Sequence, residues 1–589
     1  MVLDRILHHA ASATDFKEII NRRGSCTRSS FRTIPRRQRV VYWAMRAVLL
    51  VLAASALFAQ QPILYFRTTY NAASYAPFGL PNAAIARGSV FTVFGENLGP
   101  AQSPALAFPL SATLGGVSIN VTQSGVVTQA FPIYVSAGQI NAVMPSTVTA
   151  GLATLRLTYQ SRKSNAVTIQ IANSSPGIFA ISSGGYGPGV VYNYVSASSQ
   201  PINSLEAPAA PGQVVTIWGT GLGPVKFPDN VAPTPGNLAT PVTVTIGGQA
   251  AIVSYSGRAP CCAGIDQIVA TVPKNAPLGC WVPVSINAGG VVSNTATMAI
   301  AAFGATSCED PGNPLSKLVR TPGTQAYIDF EQVELTENVN TNPATLKTLY
   351  KLYSRFYTRP NSPHNFDPYM SWPPPGTCLV HQASGDSYLD KSLPGALPAS
   401  ASLSPQPTQL YNNGTQSLQF KPSQYYFSST LGGTFDSQPF DMNALSANEN
   451  ITIDPGGANH AVIAFAIEPP PGWPAPNGII TIPRNEPLAL TFKPADAAAP
   501  TAIVLYSYAA ATNSTVELQC LAAPGAASFT ISADNLAHLP PTYSKIDGSY
   551  ANLFVGTLGL NKAISFNNGL ATNGILVDSS WLAQSVVLQ

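Results

Sequence analysis

Charge is what this chain has least of. Of 589 residues, 30 are Lys or Arg and 27 are Asp or Glu, together 10%, against roughly 25% in an ordinary soluble chain. Self-repulsion, a common cause of disorder, is therefore weak, and 45% apolar residues give the chain the means to build cores. A polyanion-binding surface is hard to assemble from so few cations. Histidine is also scarce, with six in all, and neither an HExxH motif nor a paired Cys-x-x-Cys site is present, so no zinc site is expected. The G-x-S-x-G elbow and the D-x-D-x-D-G calcium loop are missing as well, which removes the usual signs of a serine hydrolase or an EF-hand.

What charge there is lies unevenly. The first 46 residues carry ten basic side chains against three acidic ones, and Ala47 to Ala59 then runs AVLLVLAASALFA without a charge. A basic stretch, a short apolar run and small residues make a secretory signal peptide, with cleavage expected after Ala59, or after Ala56. The run is too short to span a bilayer, which takes about 20 apolar residues. Met45 begins an ordinary signal peptide by itself, so residues 1–44 read as an over-extended start or a long basic region. Arg36-Arg37 suggests twin-arginine export, but Arg39 stands where that signal wants an apolar residue.

Removing residues 1–59 leaves 20 basic and 24 acidic residues, a net of −4 over 530 residues. Six cysteines remain: Cys261, Cys262, Cys280, Cys308, Cys378 and Cys520. An even number in an exported chain permits three disulfides, with connectivity open.

From about residue 70 short β-branched runs alternate with Gly, Pro, Asn and Ser, the pattern of an all-β chain of sandwiches. Two segments repeat. Ala86 to Pro100 (ARGSVFTVFGENLGP) matches Ala210 to Pro224 (APGQVVTIWGTGLGP), and TLGG at Thr113 matches TIGG at Thr245. Gln139-Ile140 then matches Gln267-Ile268, Gly151 matches Gly279, and Ser164-Asn165 matches Ser293-Asn294. Each repeat is the size of one immunoglobulin-like sandwich. The glycines in VVTIWGTGLG read as turn residues, because a phosphate-cradling loop would need a following helix and usually a Lys.

These residues resemble IPT/TIG domains, immunoglobulin-like modules of cell-surface receptors and some transcription factors. The chain is similar more closely to a family of secreted bacterial proteins of Solibacter type. The matching text includes TYNAASYAPFGLPNAAIARGSVFTVFGENLGP, YVSAGQINAVMP, SSPGIFAI and CCAGIDQIVATVP, over about residues 69–302. DPGGANHAVIAFAIEPPPGW and VELQCLAAPGAASFTISADNLAHLP look like the C-terminal segments of the same family. The resemblance implies a fold and carries no activity with it. The expected organisation is a leader at 1–59, IPT/TIG-like sandwiches at 60–175 and 176–303, a β-rich domain with one helix at 304–475, and a C-terminal β-rich domain at 476–589.

The helix is expected from Asn342 as cap and Pro343 in the first turn, with Leu346, Leu349, Tyr353 and Phe356 on one face and Lys347, Lys351 and Arg355 on another. His460 to Ile467, Thr501 to Tyr506 and Ser528 to Ile531 read as strands. Within the second repeat, Cys280 is expected to bond Cys262 or Cys261, since at a shift of 128 the first repeat lacks these cysteines. The pairing of Cys308, Cys378 and Cys520 stays open.

Four histidines follow the leader: His364, His381, His460 and His538. A Ser-His-Asp set can be drawn from His381, Asp386 and a nearby Ser, but a surface histidine is the simpler reading. Asp329, Glu331, Glu334 and Glu337 form the densest acidic cluster. Asp329 and Glu331 alternate onto one face of a strand, which would serve a cation or a glycosidase's catalytic pair, though a solvated strand face is the simpler account.

No catalytic, metal or cofactor residue is expected. The sequence points to an exported, non-catalytic binding, adhesion or structural protein of the cell exterior. Its expected partners are extracellular polysaccharide, an envelope protein or another copy, with no nucleic acid and no transmembrane span in the mature chain. The alternative is a polysaccharide-acting enzyme with its active site in 304–589 and the sandwiches as accessory modules. DNA binding is opposed by the leader and by residues 60–303, which hold eight basic and four acidic side chains.

Overall fold

The computed structural model describes residues 61–589 apart from 312, 338–344, 386–399, 405–432, 437–447, 455–460, 467–479, 543–547, 561–562 and 567–572. The chain is all-β, with tandem sandwiches followed by a large mixed sheet. In the first sandwich, Ile63–Asn71, Val90–Glu96 and Gln139–Val143 make one layer. Val117–Gln123, Gly151–Tyr159 and Val167–Ala172 make the other. The strand Val126–Val135 belongs to both: Ala130 lies opposite Ile119, and Phe131 opposite Val143. The second sandwich repeats the device, with Gln249–Arg258 pairing first with Val242–Ile246 and then, from Ile252 on, with Asp266–Thr271.

Alternation sets which side chains form the core. Along Gly151–Tyr159, Ala153, Leu155 and Leu157 point inward while Leu152, Thr154 and Arg156 face out, as the period of two requires. With Phe91, Val93, Ile119 and Ile140 they fill the first core. Val215, Ile217, Ile268, Val284 and Ile286 fill the second.

The repeated landmarks have physical reasons. Asn165 Oδ1 accepts from Leu64 N at 2.8 Å, and its Nδ2 donates to Leu64 O at 2.9 Å. Asn294 makes the same pair with Ile178, at 2.8 and 3.0 Å. The carboxamide thus stands in for a neighbouring strand and satisfies an edge that would otherwise be open. The serine before it accepts from a strand N–H, Leu157 in one repeat and Ile286 in the other. Gly95 and Gly219 coincide for a steric reason: a Cβ at either would collide with a carbonyl oxygen, that of Ile63 or of Gly177. Replacing Asn294 by Ala is expected to cost about 2–3 kcal/mol, because Asn294 is buried and its partners would be left unpaired. The exposed Asn165 should cost about 1 kcal/mol, since water can replace it. Urea unfolding of the two variants checks the order.

A buried ion pair joins the two sandwiches. Arg258, 2% exposed, pairs with the fully buried Asp266. Its Nη2 also donates to Gly223 O at 2.7 Å and, in the first sandwich, to Gly88 O at 2.6 Å. Beside it, Val90 N donates to Thr220 Oγ1 across the same joint. The loop from Ala259 to Ile265 packs on Val90 and Val143 of the first sandwich.

Beyond residue 303 the structure departs from expectation in two places. Thr345–Arg359 is a strand, not a helix, pairing antiparallel with Gly323–Glu337 over its whole length. Its Tyr, Thr and Phe content suits a strand, and fifteen paired positions outweigh the cap that Asn342 offered. Second, strands from either side of residue 475 share one sheet, as Gly323–Glu337 also pairs parallel with the last strand, Asn573–Leu588. That strand carries on through Tyr550–Thr557, Thr501–Ala509 and Ser514–Ala522 to Thr377–Ser384. Thr501–Ala509 and Ser528–Ile531 are strands as read, and Ala461–Ala466 is the strand within His460 to Ile467, whose ends lie outside the described residues.

This sheet does not stand alone. Leu205 and Trp281 of the second sandwich share one core with Leu315, Trp372, Leu521, Val577 and Trp581. Trp281 Nε1 donates to Asn365 O at 3.2 Å. His538, buried, donates from Nε2 to Ser293 O at 2.6 Å. Burial pushes the His538 pKa below its ordinary value.

Candidate binding cleft

Where the second sandwich meets the mixed sheet, a cleft of about 1040 Å³ opens. One wall is the segment that leaves the strand Ala296–Ile300. Cys308 fastens this segment through its disulfide to Cys280, at the start of Gly279–Ala288. The next turn ends at Asn313, whose Oδ1 accepts from Leu315 N and so caps the short helix Pro314–Arg320. The opposite wall is Trp372-Pro373-Pro374-Pro375, held where Pro374 O accepts from Thr377 Oγ1 at 2.6 Å and Gly376 N donates to Leu521 O at 2.7 Å. Pro500 and Pro524 close the far side. Proline has no N–H and a fixed φ, so these walls are stiff, apolar and poor in donors.

The polar residues of interest are two carboxylates. Glu309 is exposed, whereas Asp310 is largely covered. Asp310 Oδ1 accepts from Cys280 N at 3.0 Å, and Oδ2 is buried with no hydrogen-bond partner. Burial pushes the Asp310 carboxyl from 3.8 up to about 6, against the opposing pull of the Cys280 N–H and the Arg320 charge.

A carboxyl raised in this way favours the fold when neutral. Its contribution is fully present below about pH 4, the unfolded value, and is lost as pH rises through about 6. Raising the carboxyl this far is worth about 3 kcal/mol. Asp310→Asn is therefore expected to stabilise the chain by about 2–3 kcal/mol at neutral pH and to be nearly neutral near pH 4, read from urea midpoints at the two values.

The residues singled out in the sequence lie elsewhere. Asp329 is not on a solvated face: it is 6% exposed and accepts from Tyr327 Oη at 3.1 Å and Ser579 Oγ at 2.8 Å. Glu334 is half-buried on the other face of that strand, and the side chains of Glu331 and Glu337 lie outside the described residues. His381 is a core residue, not a surface one, at 2% exposure with its ring 6.0 Å from that of Phe366. Asp386 and His460 lie outside the described residues, and His364 is half-buried. Among the described residues no three His, Cys, Asp or Glu side chains stand together as a metal site would require, and no helix is long and apolar enough to cross a membrane.

The cysteine pairing also differs from expectation. Cys280 bonds Cys308, Cys261 bonds its neighbour Cys262, and Cys378 bonds Cys520. Cys262 sits in the joint with the first sandwich, whereas Cys280 faces the mixed sheet, so the two are on different interfaces. Comparing the repeats could not reveal Cys308, which lies outside both. The cleft itself had no sequence signal, since its prolines come from segments more than two hundred residues apart.

No protein-family model and no curated protein matches the chain. Among solved structures it is similar to the plexin A4 extracellular region, at 14% identity over 40% of this chain and 18% of that one, with a TM-score of 0.15. It is also similar to SGBP-B of the Bacteroides ovatus mixed-linkage glucan utilization locus, solved with a mixed-linkage heptasaccharide. That match has 14% identity over 43% of this chain and 57% of that one, with a TM-score of 0.19. Domains 5–6 of the S-layer protein SbsC match at 13% identity over 41% of this chain and 99% of that one, with a TM-score of 0.16. The chain thus spans under a fifth of the plexin region and little over half of the glucan-locus protein.

Proposed function

We propose that this chain is an exported, non-catalytic binding or adhesion protein of the cell exterior. In this reading the tandem IPT/TIG-like sandwiches form a stiff stem, and the cleft beside Cys280–Cys308 receives an extracellular polysaccharide. The observation that carries the proposal is the state of the cysteines: all six that follow Ala59 are in disulfides, which persist in oxidising compartments. The basic, then apolar, leader agrees with it. Fractionation of the native protein, with mass mapping of its N-terminus, tests the proposal. The expected result is an extracytoplasmic chain beginning at Gln60, or at Leu57 if cleavage follows Ala56. An intact leader on a cytoplasmic protein with free thiols would overturn it.

One observation favours the alternative, a polysaccharide-acting enzyme. A carboxyl raised to about 6 in a cleft has the property that a general acid of glycoside hydrolysis needs. If the alternative holds, the purified chain releases reducing sugar and Asp310→Asn abolishes the release. Under the binding proposal neither occurs.

A further inference from the structure

We propose that the cleft takes an amino sugar, a pyranose chain carrying free amino groups such as de-N-acetylated glucosamine polymer. This rests on the reading of the protein as an extracellular glycan binder and names the class of glycan. The volume, about 1040 Å³, is at the top of the range that ligand pockets occupy and has room for several sugar rings.

The second point is the imbalance between donors and acceptors. Pro311, Pro373, Pro374, Pro500 and Pro524 line the cleft and offer carbonyls and ring carbons but no N–H. A peptide laid in as an added strand needs both N–H and C=O groups from its host, and these five prolines supply no N–H donor. A glycan needs no such edge. Its hydroxyl and amino groups are donor-rich, and its C–H faces can lie against the apolar proline ring carbons.

The third point is charge. Both ionisable residues that line the cleft are acidic, Glu309 in the open and Asp310 behind it. Asp310 Oδ1 is held by Cys280 N at 3.0 Å, while Oδ2 is buried without a partner. An acceptor left unpaired is costly, and a small shift of the segment anchored at Cys308 would offer it to an amino group. Arg320 is the cation whose charge reaches Asp310. Among glycans of equal length, two carboxylates in an apolar surround favour the amine-bearing one.

The test is calorimetric titration of the purified exported chain, near neutral pH, with three tetrasaccharides and one peptide: the glucosamine tetramer, the N-acetylglucosamine tetramer, cellotetraose, and tetralysine. The glucosamine tetramer is expected to bind at least about tenfold more tightly than the other three. Asp310→Asn should remove that preference, and Ala305→Trp, which fills the cleft from an exposed position, should abolish binding. Equal affinity for the three sugars would overturn the inference and leave the glycan-binding reading standing. Tetralysine binding as tightly as the amino sugar would assign the site to a cationic peptide and overturn it too. Binding of none would overturn it, and co-sedimentation with whole polysaccharide would then decide the broader reading by itself.

Discussion

Arg258→Ala is expected to cost about 3–5 kcal/mol, because it strands a buried charge. Asp266 is fully buried beside the guanidinium, and burial already pushes its carboxyl above the usual range while Arg258 pulls it down. Removing Arg258 leaves Asp266 with its backbone donors, including Leu222 N at 2.8 Å, and leaves Gly88 O and Gly223 O without the guanidinium that ties them together. The loss should appear in the urea transition of the sandwich pair, together with faster protease cleavage near residues 221–231, where the chain passes the joint. Arg258→Met combined with Asp266→Leu should cost less than Arg258→Ala alone, since no charge is then stranded. A loss below about 1 kcal/mol in the single variant would mean that the joint does not depend on this pair.

Converting both Cys378 and Cys520 to Ala should cost a similar amount by a different route. The two face each other on neighbouring strands, Thr377–Ser384 and Ser514–Ala522, inside a core with Val380, Ile503 and Leu518. The bridge closes 142 residues of chain, for which the loop-entropy relation gives about 5 kcal/mol. For a unit of this size that corresponds to a fall of roughly 10–20 °C in the melting temperature. Calorimetry of the variant, beside the parent protein in reducing agent, measures it. The three bridges differ in reach: Cys280–Cys308 spans 28 residues and Cys261–Cys262 only one, so Cys378–Cys520 carries the largest single share of the entropic stabilisation.

The sandwiches were legible because their signals are local and doubled. Ser164-Asn165 and Ser293-Asn294 stand out when the two halves are aligned, and each does the same job at a strand edge. Gly95 and Gly219 coincide because each lies under a crossing carbonyl. The region after residue 303 has no second copy to compare. There, Leu346, Leu349, Tyr353 and Phe356 satisfied a helical period, but long-range pairing with Gly323–Glu337 decided the segment. The pairing of Gly323–Glu337 with the last strand, Asn573–Leu588, is likewise long-range and beyond any sequence window.

The site was less legible still. Asp329 drew notice through its acidic neighbours and proved to be a hydrogen-bonded core residue. Asp310 sits between Glu309 and Pro311 with no pattern around it. Its burial comes from packing of the second sandwich against the mixed sheet, a contact that no sequence window contains. Trp372-Pro373-Pro374-Pro375, a wall of the cleft, carries no local sign of that role either.

The central claim, a protein that binds at the cell exterior without turning its partner over, is tested most directly by co-sedimentation. The purified exported chain would be mixed with insoluble extracellular polysaccharide, and the same samples assayed for released reducing sugar. The account predicts saturable co-sedimentation, lost in Ala305→Trp, with no sugar released over prolonged incubation. Release of sugar that depends on Asp310 would contradict it, as would a chain that stays in the supernatant at every polysaccharide concentration.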